Sequence, residues 1–344
     1  MTTSAPPILQ ALRGAPLDPP PLWLMRQAGR HLPEYLETRA KARDFMDFCF
    51  RPELAIEATL QPVRRYGMDA AILFSDILTI PHALGQEVVF EPGEGPVLGP
   101  LDAADLDPSA AADRVRDRLQ PVFETVAGVR AQLPPEVALL GFAGAPWTLA
   151  TYMLGGRGTA GREEAARVAY LEPAKFDAVI EALVPAISAL LEAQIAAGAQ
   201  AVQIFDSWAG DCPATLYERA IARPTARIVD AVRAAAPEAP IIGFPRGAGT
   251  WLARYRADTH VDAVGLDERA NLDWAAEHVA SAGPVQGAVD PLALIAGGEA
   301  LDASIDAVKR AFRGKPYVFN LGQGVRPETP IPHVERLIAR VRSG

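Results

Sequence analysis

The chain is poor in cysteine: Cys49 and Cys212 are its only two, too few for a disulfide framework or a four-ligand zinc set. It is also short of cations. Lys and Arg number 33 against 42 Asp and Glu, a formal net charge of -9, which argues against nucleic acid or an anionic membrane as partner. Long apolar runs are missing as well. The most hydrophobic segment, near 182–191, lies between Glu181 and Glu192 and is shorter than the roughly 20 residues that span a bilayer. The opening "MTTSAPPILQALRG" has neither the charged start nor the apolar stretch of a secretory signal, so a reducing cytoplasm is the expected compartment. No Gly-x-Ser-x-Gly elbow, P-loop or HExxH motif occurs. His82, His260, His278 and His333 show no metal-ligand spacing, and His31 adjoins Arg30.

What is present is core-forming material, 49% hydrophobic and 22% charged over 344 residues. Short apolar runs recur: "LWLM" (22–25), "AAILF" (70–74), "ALLGF" (138–142), "AVQIF" (201–205), "PIIGF" (240–244), "DAVGL" (262–266), "PVQGAV" (284–289) and "YVFNL" (317–321). They do not alternate with polar residues, which is the pattern of parallel strands buried on both faces. Helical spacing lies between most of them. Phe176, Val179, Ile180, Leu183, Ile187, Leu190, Leu191 and Ile195 share one face, with a kink expected at Pro185. Val334, Leu337, Ile338 and Val341 repeat the spacing near the end.

Eight such strand–helix units predict an α/β fold, a single (β/α)8 TIM barrel over 1–344. The runner-up, an open doubly wound sheet, lacks its G-x-G-x-x-G turn. "QEVVFEPGEGPVLG" (86–99) breaks the rhythm and reads as an inserted β-hairpin. Residues 1–15 are expected to be a disordered tail.

Barrel enzymes gather their chemistry at the C-terminal ends of the strands. There the sequence sets Arg26, Gln27 and Arg30; Ser75 and Asp76; "AGAPWT" (143–148); Asp206 and Ser207; Arg246; Asp267; Asp290; and "GQG" (322–324). Arg26 and Arg30 offer planar donor forks suited to carboxylates. A salt-bridged surface turn is the plainer reading of such a pair, but Gly29 beside a core strand favours a ligand, because glycine permits close approach. Asp76, between Phe74 and Ile77, is expected to be partly desolvated. It could pair with an arginine, or meet a ligand's N–H groups or positive charge. Pro146 suits a first helical turn, whose free N–H groups could receive an anion or simply belong to a tight βα turn. Tyr152 could pack or touch a ligand, and Ser207 could bind or cap.

Taken together, "PLWLMRQAGRHLPEY", "FSDILTIPHALG", "GFAGAPWTLATYM", "FDSWAG" and "VFNLGQG" closely resemble the uroporphyrinogen decarboxylases of haem biosynthesis, in the family's order, across roughly residues 20–340. The resemblance implies a single (β/α)8 barrel, a homodimer, and neither metal nor organic cofactor. It also implies removal of carbon dioxide from the four acetate arms of uroporphyrinogen III, giving coproporphyrinogen III. The substrate's eight carboxylates would explain a cationic cleft in an acidic protein. Carried over by motif, Arg26, Gln27, Ala28, Gly29 and Arg30 would line that cleft and hold carboxylates. Asp76 would accept hydrogen bonds from the pyrrole N–H groups, and Tyr152 and Ser207 would contact substrate side chains. Asp76, Arg26 and Tyr152 are the candidate catalytic residues, with Arg26, Tyr152 or a water as proton donor. Two positions depart from the family. Gln323 stands in "NLGQG" where the family has histidine; its amide can donate to a carboxylate but cannot relay a proton. His31 stands where tyrosine is frequent. The alternatives are a zinc- and corrinoid-type methyltransferase of the same barrel superfamily, or a porphyrinogen-binding protein without turnover.

Overall fold

A computed structural model gives the structure of residues 5–91, 95–157 and 162–343. Its strands, in chain order, are β1 (Ala70–Ile72), β2 (Val88–Glu91), β3 (Gly95–Leu98), β4 (Ala138–Gly144), β5 (Ala201–Asp206), β6 (Ile241–Pro245), β7 (Ala263–Leu266), β8 (Val285–Val289) and β9 (Tyr317–Leu321). Seven of them form one sheet in the order β1-β4-β5-β6-β7-β8-β9, with every pairing parallel. This is an α/β fold of the barrel type, with helices between successive strands. β2 and β3 pair antiparallel, Val88 opposite Leu98 and Glu91 opposite Gly95; the turn joining them lies outside the described residues.

The side chains divide by the period of two that strands impose. Ala70, Ile72, Ala138, Leu140, Ala201, Ile242, Phe244, Ala263 and Val318 form an inner cluster. Leu139, Val202, Ile204, Val264, Leu266, Phe319 and Leu321 belong to the larger outer cluster beneath the helices. The inner cluster also takes Ile8, Leu9, Ala11 and Leu12, from the helix Pro7–Leu12. So from residue 5 the expected tail is ordered structure: its apolar residues find a place in the sheet's inner core.

The run at 22–25 differs from its expected role. It forms no strand, only a parallel bridge between Leu22 and Phe319. The reason lies in where its N–H groups go. Trp23 N donates to Phe319 O at 3.3 Å, but its neighbours turn to side chains. Leu22 N donates to Asp69 Oδ2 at 2.8 Å, Leu24 N to Gln27 Oε1 at 3.1 Å and Met25 N to Asn320 Oδ1 at 2.9 Å. Side-chain acceptors thus replace a ladder. On the other edge Asp69 N donates to Leu22 O at 3.0 Å, so the segment lies between β9 and the start of β1.

The helix predicted around 176–195 is Pro173–Ala196 and continues through Pro185. It is long and apolar enough to cross a membrane, more than the sequence segment near 182–191 suggested. Phe176, Val179, Ile180, Leu183, Ile187, Leu190 and Leu191 are all buried within the fold, so the apolar length serves the core. The final helix, Ile331–Arg342, buries Val334, Leu337, Ile338 and Val341.

Candidate active site

The segment after Met25 makes a tight turn at the strand ends. Arg26 has φ 58, a left-handed backbone that side-chain-bearing residues adopt at a cost and that tends to mark functional sites. Gly29 follows because a Cβ there would come within 2.9 Å of Arg26 O. Gly324, from "GQG", lies against the Arg26 side chain: a Cβ at 324 would meet Arg26 Cδ at 2.4 Å. Val325 N donates to Met25 O at 2.8 Å, which ties the two loops together. Arg26 and Arg30 are exposed and Ala28 half-buried. Gln27 is buried, and both ends of its amide are used: Oε1 accepts from Leu24 N, and Nε2 donates to Ala70 O at 3.0 Å. Its side chain braces the turn, so what it can offer a ligand is main chain. His31 is nearly buried and stacks on Tyr66 with ring centroids 6.3 Å apart; burial lowers its pKa to about 4, so it is neutral at pH 7.

Asp76 keeps a window to solvent but is otherwise ringed by protein. Its Oδ1 accepts from Leu78 N at 2.8 Å, and Oδ2 has no hydrogen bond among the described residues. Desolvation pushes the carboxyl up to about 6, against the lowering effects of the Leu78 N–H and the Arg26 guanidinium. Tyr152 stands on the helix Pro146–Gly155, which opens with proline at its first turn. Burial first, and then the Asp76 charge, raise the Tyr152 hydroxyl above its usual range, while the nearby Trp208 indole N–H and then Arg26 and Arg162 act the other way. Arg26, Asp76 and Tyr152, expected together from the sequence, are therefore within electrostatic reach of one another. Ser207, half-buried at the end of β5, sits between Asp206 and Trp208. Gln323 is half-buried; its Oε1 accepts from Gly324 N at 3.3 Å, which leaves the amide N–H groups as donors.

Other strand-end residues are spoken for structurally. Asp267 is buried and accepts from Gly247 N and Arg269 N. Asp290 caps a helix through Leu292 N, and Arg246 pairs with Glu268 at 2.8 Å. Asp206 is buried, with Oδ1 accepting from Thr148 Oγ1 at 2.6 Å and Oδ2 unpartnered among the described residues; burial raises it to about 7. Inside the sheet, Phe142, Phe205 and Phe244 make edge-to-face contacts at 5.6 and 5.9 Å. Phe142 and Phe205 are only half-buried, so they leave apolar surface open at the strand ends. Sequence reasoning missed Arg162, whose guanidinium carbon is 4.2 Å from the Trp208 ring centroid. No local pattern marks it, since its place depends on how the chain returns after the helix Pro146–Gly155. Two hollows, of about 520 and 340 Å³, lie away from this face. Arg116, Pro185 and Arg227 line the first; Lys309, Phe312 and Tyr317 line the second. Among the described residues no group of three His, Cys, Asp or Glu could hold a metal ion.

The uroporphyrinogen decarboxylase (URO-D) family matches the chain over residues 3–344. A relative named uroporphyrinogen decarboxylase from Chelativorans sp. is 52% identical over 337 residues, covering 98% of both chains. Another, from Sphingopyxis alaskensis, is 51% identical over 346 residues and covers 100% of both. Among solved structures, a methyltransferase from Methanosarcina mazei superposes with a TM-score of 0.78 at 19% identity, covering 97% of this chain and 96% of its own; that likeness concerns the fold alone.

Proposed function

The chain belongs to the uroporphyrinogen decarboxylase family, and on that premise we propose that it is a carboxy-lyase of porphyrin biosynthesis. It removes carbon dioxide from the four acetate arms of uroporphyrinogen III, leaving methyl groups and thus coproporphyrinogen III. We further propose that the 21–25 segment completes a closed (β/α)8 barrel as its eighth stave, and that the protein works in the cytoplasm as a homodimer.

The chemistry follows from the substrate. Loss of carbon dioxide leaves an electron pair that needs an acceptor. Protonation of the pyrrole carbon beside the acetate makes the ring that acceptor; the pair flows into the ring as the C–C bond breaks. A proton then adds to the exposed methylene carbon, and the ring carbon gives up its own. The net change is carbon dioxide out and one proton in, with no oxidation. Asp76 faces the pyrrole N–H groups and stabilises the cationic ring, more in the transition state than in the ground state. Arg26 and Arg30 hold carboxylate arms, with the main chain of Gln27, Ala28 and Gly29 as wall. Tyr152, Ser207 and the Gln323 amide contact the remaining arms. Arg26, Tyr152 or a bound water supplies the proton.

The observation that carries this reading is Asp76: a carboxyl with one unengaged oxygen, desolvated, within reach of Arg26 and Tyr152. Asp76→Asn tests it. The variant is expected to fold and to lose at least about a hundredfold in kcat, in the range of removing one preorganised electrostatic contact. Near-normal turnover by a folded Asn variant would remove Asp76 from this role. The methyltransferase reading has no support beyond the shared fold.

A further inference from the structure

Beside Tyr152 lie two donors that the roles above do not use. Trp208 is set firmly by its main chain, since its N–H donates to Thr148 Oγ1 at 3.1 Å and its carbonyl accepts from Trp147 Nε1 at 2.9 Å. Its indole packs 6.1 Å from the Tyr152 ring. Indole Nε1 is sheltered and has no acceptor of good geometry among the described residues; the Tyr152 hydroxyl is the polar group close to it. On the indole face lies the Arg162 guanidinium, 4.2 Å from the ring centroid, close enough for a cation–π contact. Asp211 takes Arg162 Nη1 at 3.1 Å. Arg162 Nε, like Trp208 Nε1, is sheltered and unpartnered, although the Arg162 side chain as a whole remains 32% exposed.

Sheltered donors without acceptors are costly, and two on one stacked pair, beside a candidate substrate contact, call for a shared acceptor. The chemistry that satisfies both is a carboxylate: it accepts several hydrogen bonds, and arginine is its usual partner in fork geometry. Asp211 engages only one corner of that fork.

We propose that Arg162 and Trp208 form a further carboxylate subsite on the cleft, holding one carboxylate arm of the substrate between Arg162 Nε and Trp208 Nε1. This rests on the tetrapyrrole reading of the site. The stack aligns the guanidinium beforehand, so little order is lost when the arm binds. Arg162 would thus meet the substrate from the Trp208 side, whereas Arg26 lies against Gly324 and within reach of both Asp76 and Tyr152.

Steady-state kinetics of the full chain with uroporphyrinogen III under anaerobic conditions tests the subsite. Arg162→Gln is expected to raise KM about tenfold, the scale of one charge-assisted hydrogen bond, with kcat within about twofold. Arg162→Lys, which keeps the charge but not the fork, falls between, and it serves if the Gln variant does not fold. Trp208→Phe keeps the ring and loses the N–H, so KM rises several-fold. Asp211→Asn releases the guanidinium and lowers KM. A KM for Arg162→Gln or Arg162→Lys equal to that of the unsubstituted protein would overturn the subsite. So would an Asp211→Asn variant with the same raised KM, because the ion pair would then be merely structural. If the unsubstituted protein neither bound nor converted uroporphyrinogen, the substrate reading itself would fail, and the subsite with it.

Discussion

At Asp76 burial and the Arg26 guanidinium pull in opposite directions, and burial wins, leaving the carboxyl at about 6. The charged form is the one that stabilises a cationic ring, so kcat/KM should fall as pH drops through about 6, higher than an ordinary carboxylate allows. Arg26→Gln removes a lowering influence and should move that acid limb upward; a limb that stays in place would mean another group sets it. Gly324→Ala should displace the Arg26 side chain, given the 2.4 Å approach to Cδ, and raise KM about tenfold without unfolding the protein. Some of this was readable in advance. Arg26 and Asp76 stand out because each is a charged residue that follows an apolar run. The bracing role of Gln27 was not readable, because a motif does not say that an amide will be used up by Leu24 N and Ala70 O. Arg162 was hidden because its neighbour Trp208 lies far along the chain.

Among the elements, the strand runs declared themselves because they are mainly apolar without alternation, and β4 to β9 are indeed largely buried on both faces, with Gln203, Asp206, Gln286 and Asn320 as their buried polar members. The exception, 22–25, is just as apolar; its N–H groups go to Asp69, Gln27 and Asn320, which composition does not reveal. Asn320→Ala should therefore leave the Met25 and Leu321 N–H groups without their acceptor. The expected cost is about 1–3 kcal/mol per group, read as a lower urea midpoint, together with a loss of activity because Arg26 follows Met25. Leu9→Ala should cost about 2–5 kcal/mol, since the helix Pro7–Leu12 fills the inner core; an unchanged midpoint would return residues 5–15 to the status of a tail. Asp206 couples β5 to the helix Pro146–Gly155 through Thr148. Its carboxyl rises to about 7 in the folded state, above its unfolded value near 4. Its contribution to stability is thus fully present below about pH 4 and lost as pH rises through about 7. Asp206→Asn, which keeps an acceptor for Thr148, should flatten that decline in melting measurements between pH 4 and 8.

For the whole molecule, an acidic chain of net charge -9 that binds an octacarboxylate must gather its cations locally, and Arg26, Arg30 and Arg162 are the arginines proposed to do so. Substrate capture should therefore weaken with added salt, because Debye screening reaches down to about 8 Å at 0.15 M. If the proposed homodimer forms, the protein should sediment at about twice the 36.7 kDa chain mass; sedimentation at the single-chain mass would contradict it. The family was legible across the chain because its motifs recur in order along it; the face by which subunits would pair was not, since no strand or helix pattern encodes it.

The central claim is decarboxylation with Gln323 at the position where the resemblance places a histidine. The purified protein, incubated anaerobically with uroporphyrinogen III and no added cofactor, tests it directly once the products are oxidised and separated by carboxylate number. The account predicts a ladder that ends in the four-carboxylate product. Uroporphyrinogen bound but returned intact would contradict it, and would make the protein a porphyrinogen binder that has lost turnover.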